Sequence, residues 1–335
     1  MAFLKPDDYI ILMDWNETPQ TLASVETPSR ALSLDELKRI KDIGINTVMV
    51  QVYWNNVEPN MGGVEWKIAD ALMEKYIAAD LRTIMMTPVL VPLDAPDDYY
   101  FKYEDGTLEK AAFSIWNQEA MGRQRKFLEK MVERYTSPDV QIVLGELQGG
   151  EFVLPLRAGF YDTSALAQFG GRPDSNVKDP RTIEWLKESV INHYLYMQEP
   201  LAKQHGEVWD AMHQYIAYWH PTTGDQFQTD LHAAYHSKWP DVEVVLLQYT
   251  FMYHASNATY MNHVYNLKSM GAKVIIEANY TTGLKESTPL AISKGFSGQI
   301  CCPLHPWAPG GASDCLTSKQ IEELSKSIGL WRRAA

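Results

Sequence analysis

The sequence predicts a single (β/α)₈ barrel over residues 1–335, with long loops after the third and fourth strands. Short apolar, β-rich runs alternate with amphipathic stretches, and eight such pairs follow one another along the chain. Runs such as NTVMVQVYW and KVIIEANY are apolar at almost every position, as in strands that are covered on both faces. An open doubly wound sheet is the alternative, but no glycine-rich phosphate motif follows any of the runs.

The predicted strands are spaced so that a helix fits between each strand and the next. They cover residues 9–15, 46–54, 82–90, 140–147, 214–219, 242–249, 273–279 and 298–303.

The first predicted helix has clear signals at both ends. Ser33 is the N-cap, Glu36 completes a capping box and Gly44 ends the helix. The segment NQEAMGRQRKFLEKMVERY has the strongest helical periodicity in the chain. Further helices are predicted for residues 68–79, 182–203, 226–238, 257–270, 289–294 and 318–330.

Two connections are longer than a barrel requires, namely residues 91–116 after the third strand and 148–181 after the fourth. In this fold such loops rise from the C-terminal face, where active sites are built. We therefore expect them to form the wall of a cleft.

Composition narrows the class of ligand. The formal net charge of -12 repels phosphate backbones and anionic lipid surfaces, so we expect neither a nucleic acid nor a membrane partner. The chain has 10 Trp and 18 Tyr, and such rings can stack on the C–H faces of sugars. A neutral oligo- or polysaccharide fits this composition, although most of these rings are also expected to pack the core.

Cysteine usage and the N-terminus indicate a cytoplasmic protein. The three cysteines show neither a disulfide framework nor metal-ligand spacing. The apolar run near the N-terminus is too short for a signal peptide or a membrane span. We expect no metal and no cofactor, and the oligomeric state stays open, with an oligomer possible.

Two glutamates end strands that should be buried on both faces. Glu146 follows VQIVLG, and Glu277 follows KVII. A carboxylate in such a place must be hydrogen-bonded or perturbed in pKa. The fourth and seventh strands face each other across the mouth of a closed barrel, so the two groups can flank one sugar ring, as glycosidic cleavage requires. A structural role for each Glu is the alternative.

The other strand ends and the loops beside them supply candidate substrate-binding residues. These are Asp14, Trp15, Gln51, Trp54, Trp116, Asn117, Trp219, His220, Tyr249 and Trp307. Any of the tryptophans could instead pack a loop. Glu58, in the word VEP, is expected to be structural and to hold the loop after the second strand. Glu151, in the glycine-rich loop, is a rival proton donor and is more simply an exposed loop residue.

The sequence resembles the clan A glycoside hydrolases, in which an acid/base Glu ends strand four and a second Glu ends strand seven. Residues 44–135 resemble the family 42 β-galactosidases through the words GINTVMVQVYWNNVEPNMGGVEW, TPVLVP, YEDG, WNQEAMGRQ and MVERY. This resemblance implies a retaining β-glycosidase with Glu146 as acid/base and Glu277 as nucleophile. It also implies that Tyr249 contacts Glu277 and that Trp307 forms the floor of the sugar-binding site.

One position departs from the clan pattern. Gly145 stands where the clan usually has an Asn that holds the sugar 2-hydroxyl. The segments GELQGGEFVLP and IAYWHPTTG instead resemble the family 14 β-amylases, which invert configuration. In those enzymes an Asp and a His of the early loops bind the terminal glucose, and this chain has Gln51 and Thr87 near the positions where they are expected. Three functions thus stay open: a retaining β-glycosidase, an inverting α-glucan hydrolase on the same two Glu, and a non-catalytic carbohydrate-binding barrel.

Overall fold

A computed structural model describes most of the chain and confirms the barrel. The described residues are 9–14, 32–60, 62–89, 91–135, 137, 139–144, 159–210, 224–248, 258–279, 283–302, 322 and 325–330. Their strands are β1 (Tyr9–Asp14), β2 (Thr47–Tyr53), β3 (Arg82–Val89), β4 (Tyr100–Lys102), β5 (Leu108–Phe113), β6 (Val140–Leu144), β7 (Glu207–Asp210), β8 (Glu243–Gln248), β9 (Lys273–Asn279) and β10 (Gly298–Cys302).

Eight of these strands close into a ring. Its order is β1, β2, β3, β6, β7, β8, β9 and β10, which returns to β1, and every neighbouring pair is parallel. The other two strands, β4 and β5, form an antiparallel hairpin in the connection after β3.

Helices connect successive strands, as the alternating pattern predicts. They are α1 (Leu34–Ile43), α2 (Trp54–Val57), α3 (Lys67–Ala78), α4 (Gln118–Arg134), α5 (Thr163–Phe169), α6 (Pro180–His205), α7 (Gly224–Lys238), α8 (Ala258–Ser269) and α9 (Gly283–Ser293). The caps of α1 are as predicted: Ser33 and Glu36 form a capping box, and Gly44 ends the helix at a φ of 110°. None of the described helices has both the length and the apolar composition needed to cross a bilayer.

Two predicted elements need correction. The fifth barrel strand begins at Glu207, not at residue 214, because β7 (Glu207–Asp210) pairs with β8 over its whole length. Residues 214–219 lie outside the described residues. The helix predicted for 289–294 starts earlier, at Gly283, and Pro289 lies inside it.

The barrel interior is filled by layers of side chains. One cluster of buried apolar residues comes only from the eight ring strands and is separate from the larger core beneath the helices. Alternate strands contribute to successive layers, as in other barrels of this kind. The first complete layer consists of Ile11, Ile84, Trp209 and Ile275, and the second of Met49, Val143, Leu247 and Ile300.

A polar layer closes the N-terminal end of the barrel. It is made by the first residues of β1, β3, β7 and β9, which are Tyr9, Arg82, Glu207 and Lys273. The Arg82 guanidinium lies 4.5 Å from the centroid of the Tyr9 ring, and the Trp209 indole N–H donates to Glu207 at 2.9 Å. Two apolar layers therefore separate this end from the C-terminal face.

His232 on α7 predicts an acid-sensitive stability. Its side chain is buried, neither ring nitrogen has a hydrogen-bond partner among the described residues, and its ring centroid lies 4.5 Å from that of His236. Burial, and to a smaller extent His236, lowers the pKa of His232 to about 4. The unfolded chain then takes up a proton first on acidification, so stability is full above about pH 6.5 and falls towards pH 4.

We expect this one group to account for up to about 3 kcal/mol of the stability lost between pH 7 and pH 4. Urea unfolding of wild type and His232→Leu at both pH values measures it. The variant should lose less stability on acidification than the wild type. An equal loss in both proteins would show that another group is responsible.

Candidate active site

Strand alternation places Glu277 above the two apolar layers. Ile275 of β9 belongs to the barrel interior, and position 277 follows two residues later on the same face of the strand backbone. In the register of β9 and β10, Glu277 is the partner of Ile300. Met86 of β3, which is buried in the interior, lies at the same level as position 277, above the second apolar layer. The backbone of Glu277 thus lies one level above the second apolar layer, on the C-terminal side of it.

Gln51 has a comparable place on β2. It lies between Met49 and Tyr53, and both of these side chains belong to the interior cluster. Asp14, the last residue of β1, is four positions after Ile10 and therefore lies on the same face of the strand backbone. Ile10 packs in the outer core. On backbone position alone, Gln51 and Glu277 share the inner face of the barrel and Asp14 does not.

Several predicted site residues fall outside the described residues. Glu146 comes two positions after the last residue of β6, which is Leu144. β6 is separated from β9 by β7 and β8 along one arc of the ring. The others outside the described residues are Trp15, Glu151, Trp219, His220, Tyr249 and Trp307.

Trp54 is packed into the protein and offers no open ring face. It is fully buried, its ring stacks on Phe127 at 4.8 Å, and its indole N–H donates to Glu58 at 2.7 Å. Glu58 also accepts hydrogen bonds from the Gly62 N–H and the Arg123 guanidinium, each at 2.7 Å. The structural role predicted for Glu58 is confirmed, and the surroundings of Trp54 favour the packing role over sugar stacking.

Trp116 and Asn117 are also used in packing and capping. Trp116 is buried and stacks on Trp185, with ring centroids 4.9 Å apart. Asn117 is the N-cap of α4: its Oδ1 accepts from the N–H groups of Glu119 and Ala120, and its Nδ2 donates to the Asp98 carbonyl. Its amide is thus already bonded on both sides within the protein.

Tyr53 is a polar interior residue that the sequence reasoning missed. It is the last residue of β2, and its buried ring belongs to the interior cluster on the C-terminal side of Met49. Burial raises the pKa of its phenol to about 12, so the group stays protonated near neutral pH. The alternation that puts position 51 on the inner face of β2 would also have identified position 53. No group of three or more metal-ligating side chains occurs within the described ranges.

The Glu58 network predicts a large stability effect. Glu58→Ala would leave the Arg123 charge and two further donors without their buried acceptor, and we expect a loss of about 3 kcal/mol. Urea unfolding measures the loss. Lys326→Ala is the control, because the exposed pair of Lys326 and Glu322 should contribute less than about 1 kcal/mol. Similar small losses in both variants would contradict the structural role of Glu58.

The described fold is similar to the solved structures of a β-amylase domain, a β-galactosidase and an endocellulase. The chain is similar to the catalytic domain of a β-amylase from Paenibacillus polymyxa, with 14% identity and a TM-score of 0.66 over 96% of this chain and 98% of that one. It is similar to a GH42 β-galactosidase from G. stearothermophilus, with 12% identity and a TM-score of 0.64 over 100% of this chain and 58% of that one. A hyperthermophilic endocellulase from the archaeon Pyrococcus horikoshii shows 13% identity and a TM-score of 0.53, over 96% and 92% of the two chains.

The fold is therefore a (β/α)₈ barrel like those of these three enzymes. At these identities the likeness establishes the architecture, and the chemistry has to be argued from the residues of this chain. No protein-family model matches the sequence, and neither does any curated protein.

Proposed function

We propose that the protein is a glycoside hydrolase that acts on an oligo- or polysaccharide. The observation that carries the proposal is the position of Glu277, the first acidic position above two complete apolar layers on the inner face of the barrel. A carboxylate at this level is at the C-terminal face, where barrel enzymes place their catalytic groups. Glu146, which follows β6, supplies the second carboxylate that glycosidic cleavage needs.

In this proposal the reaction proceeds with retention of configuration. The Glu277 carboxylate attacks the anomeric carbon while Glu146 donates a proton to the departing oxygen; the glycosyl ester is then hydrolysed by a water that Glu146 deprotonates. Contacts among the family 42-like words support this choice. Glu58 accepts hydrogen bonds from Trp54 and Gly62, which lie in the same segment GINTVMVQVYWNNVEPNMGGVEW. It also binds Arg123 of the segment WNQEAMGRQ, so the two segments share one buried hydrogen-bond network.

An inverting α-glucan hydrolase is the second candidate. It is favoured by the β-amylase domain, which matches nearly its full length to this chain, and by the word GELQGGEFVLP around Glu146. Glu277 would then activate water as a base, and the two carboxyl groups would be about 6.5 to 9.5 Å apart, against about 5 to 5.5 Å for retention. The product's anomeric configuration distinguishes the two candidates.

Turnover of a panel of nitrophenyl α- and β-glycosides and of soluble α-glucans tests the proposal. We expect at least one substrate to release sugar, and Glu146→Gln to abolish turnover of substrates with poor leaving groups. Nitrophenyl release should fall less, because a good leaving group needs little protonation. Binding of sugars without any turnover would instead support a non-catalytic carbohydrate-binding barrel.

A further inference from the structure

His232 and His236 lie about one helical turn apart on α7. Residues 232–236 read HAAYH, and side chains four positions apart stand on the same face of a helix. Gln228, one turn earlier on this face, contacts the neighbouring helix α8, because its Oε1 accepts a hydrogen bond from His263 Nε2 at 2.5 Å. The two histidines therefore lie along the side of α7 that faces α8.

The ring nitrogens of this pair lack partners within the described part of the chain. His232 is only 1% exposed, and its Nδ1 and Nε2 atoms are both buried without a hydrogen bond. The Nε2 atom of His236 is buried and unpaired as well. A buried polar atom that has lost its bonds to water without gaining a partner costs about 1–3 kcal/mol. Three such atoms on two adjacent rings indicate a ligand that binds imidazole nitrogen.

The distance between the two rings fits coordination of one metal ion. Bonds from a metal ion to an imidazole nitrogen are about 2.0–2.1 Å long, and the ring centre lies about 1.1–1.2 Å beyond that nitrogen. Two rings at a nitrogen–metal–nitrogen angle of about 90° then have centroids about 4.5 Å apart, against about 5.2 Å at the tetrahedral angle. The observed centroids are 4.5 Å apart, and the ring planes are inclined by 64°. The spacing matches the right-angled geometry that copper(II) and nickel(II) adopt.

We propose that His232 and His236 bind a divalent transition-metal ion of the copper(II) or nickel(II) type. Imidazole nitrogen is a suitable ligand for both ions. Water completes the coordination, because the described residues contain no group of three or more His, Cys, Asp or Glu side chains that could hold a metal. The ring of His236 is only half-buried, so the ion can enter from solvent on that side.

The proposed metal site is remote from the catalytic face of the barrel. α7 ends at Lys238, and the next strand, β8, begins at Glu243 at the N-terminal end of the ring. With a rise of about 1.5 Å per residue, His236 and His232 lie about 3 Å and about 9 Å from this end of the helix. The ion therefore acts on the stability of the α7 region, and the proposal is independent of the proposed hydrolysis.

Metal titration of a protein without a polyhistidine tag, after treatment with a chelator, tests the proposal. We expect nickel(II) chloride to raise the thermal-unfolding temperature, since a ligand of the folded state stabilises it. The electron paramagnetic resonance spectrum of the copper(II) complex should show couplings to two imidazole nitrogens. Magnesium chloride should have no effect, because magnesium prefers oxygen ligands. His232→Leu and His236→Ala should each weaken nickel binding at least about tenfold.

His263→Leu is the matched control, because His263 is a buried histidine on the neighbouring helix whose Nε2 already has a partner. It should keep the nickel affinity of the wild type within about twofold. The half-buried position of His236 makes His236→Ala the variant that keeps the test decisive if His232→Leu does not fold. The proposal is overturned if the wild type binds neither ion, or if the folded His232 and His236 variants bind nickel as tightly as His263→Leu.

Discussion

Replacing Glu277 by glycine is expected to lower hydrolysis of the best substrate at least about ten-thousandfold. In the proposed mechanism the variant loses the group that bonds to the anomeric carbon, so the reaction would have no covalent route. The space left by the side chain admits azide, which can attack in its place when the substrate has a good leaving group. Azide should therefore restore turnover and yield a glycosyl azide of the opposite anomeric configuration.

Glu243→Gln is the control for this loss. Glu243 begins β8 at the N-terminal end of the barrel and pairs with Lys273 at 2.7 Å, on the far side of the two apolar layers. Its replacement should leave kcat/KM unchanged. Steady-state rates of both variants, with and without azide, make the comparison, and an active Glu277→Gly protein would remove Glu277 from the mechanism.

Gly298→Ala is expected to destabilise the barrel by about 3 kcal/mol or more. Gly298 begins β10, where the ring closes on β1, and a Cβ there would lie 2.2 Å from the Tyr9 carbonyl oxygen. The clashing oxygen belongs to the Tyr9 backbone and cannot move aside on its own, so β1 and β10 must separate. The same movement would disturb Tyr9, whose ring packs on Trp209 at 5.0 Å in the layer above.

Gly122→Ala in α4 separates this clash from the general effect of glycine. Outside the local backbone of α4, no atom lies within 4 Å of a Cβ at position 122, so alanine should stabilise the helix by up to about 1 kcal/mol. In urea unfolding, the free energy of unfolding should fall in Gly298→Ala and rise in Gly122→Ala. Equal stability of Gly298→Ala and wild type would show that the ring closes differently from the described geometry.

Local signals were enough to predict most of the barrel from sequence. β9 contains the apolar run 274–276, which is buried on both faces, and its observed bounds, Lys273–Asn279, are the predicted ones. The capping box of α1 depends on two residues three positions apart, so it too can be recognised without knowledge of the fold.

Elements defined by distant partners were harder to predict. The four residues of β7 include Glu207 and Asp210 and carry no apolar run, and their strand is defined by pairing with β8. For α9, the helix was predicted to begin at residue 289, whereas it begins at Gly283. The hydrophobic periodicity of a segment does not show which later segment it pairs with.

The same limit applies to the candidate site. Alternation along β9 suffices to place position 277 on the inner face, because Ile275 precedes it by two residues. It does not show that Trp116 stacks on Trp185 or that Ser114 donates to Asp162, since these contacts join residues far apart in sequence. A tryptophan beside a strand end therefore had two possible roles until its neighbours were known.

Covalent trapping tests the central claim most directly. The 2-deoxy-2-fluoro analogue of the best glycoside slows hydrolysis of a glycosyl ester more than its formation when its leaving group is good, so the ester accumulates in a retaining enzyme. Mass spectrometry should show one added sugar, located in peptide digests at Glu277 and absent from Glu277→Gln. An adduct on another carboxylate, or turnover to an inverted product with no adduct, would contradict the assignment of Glu277 as the nucleophile.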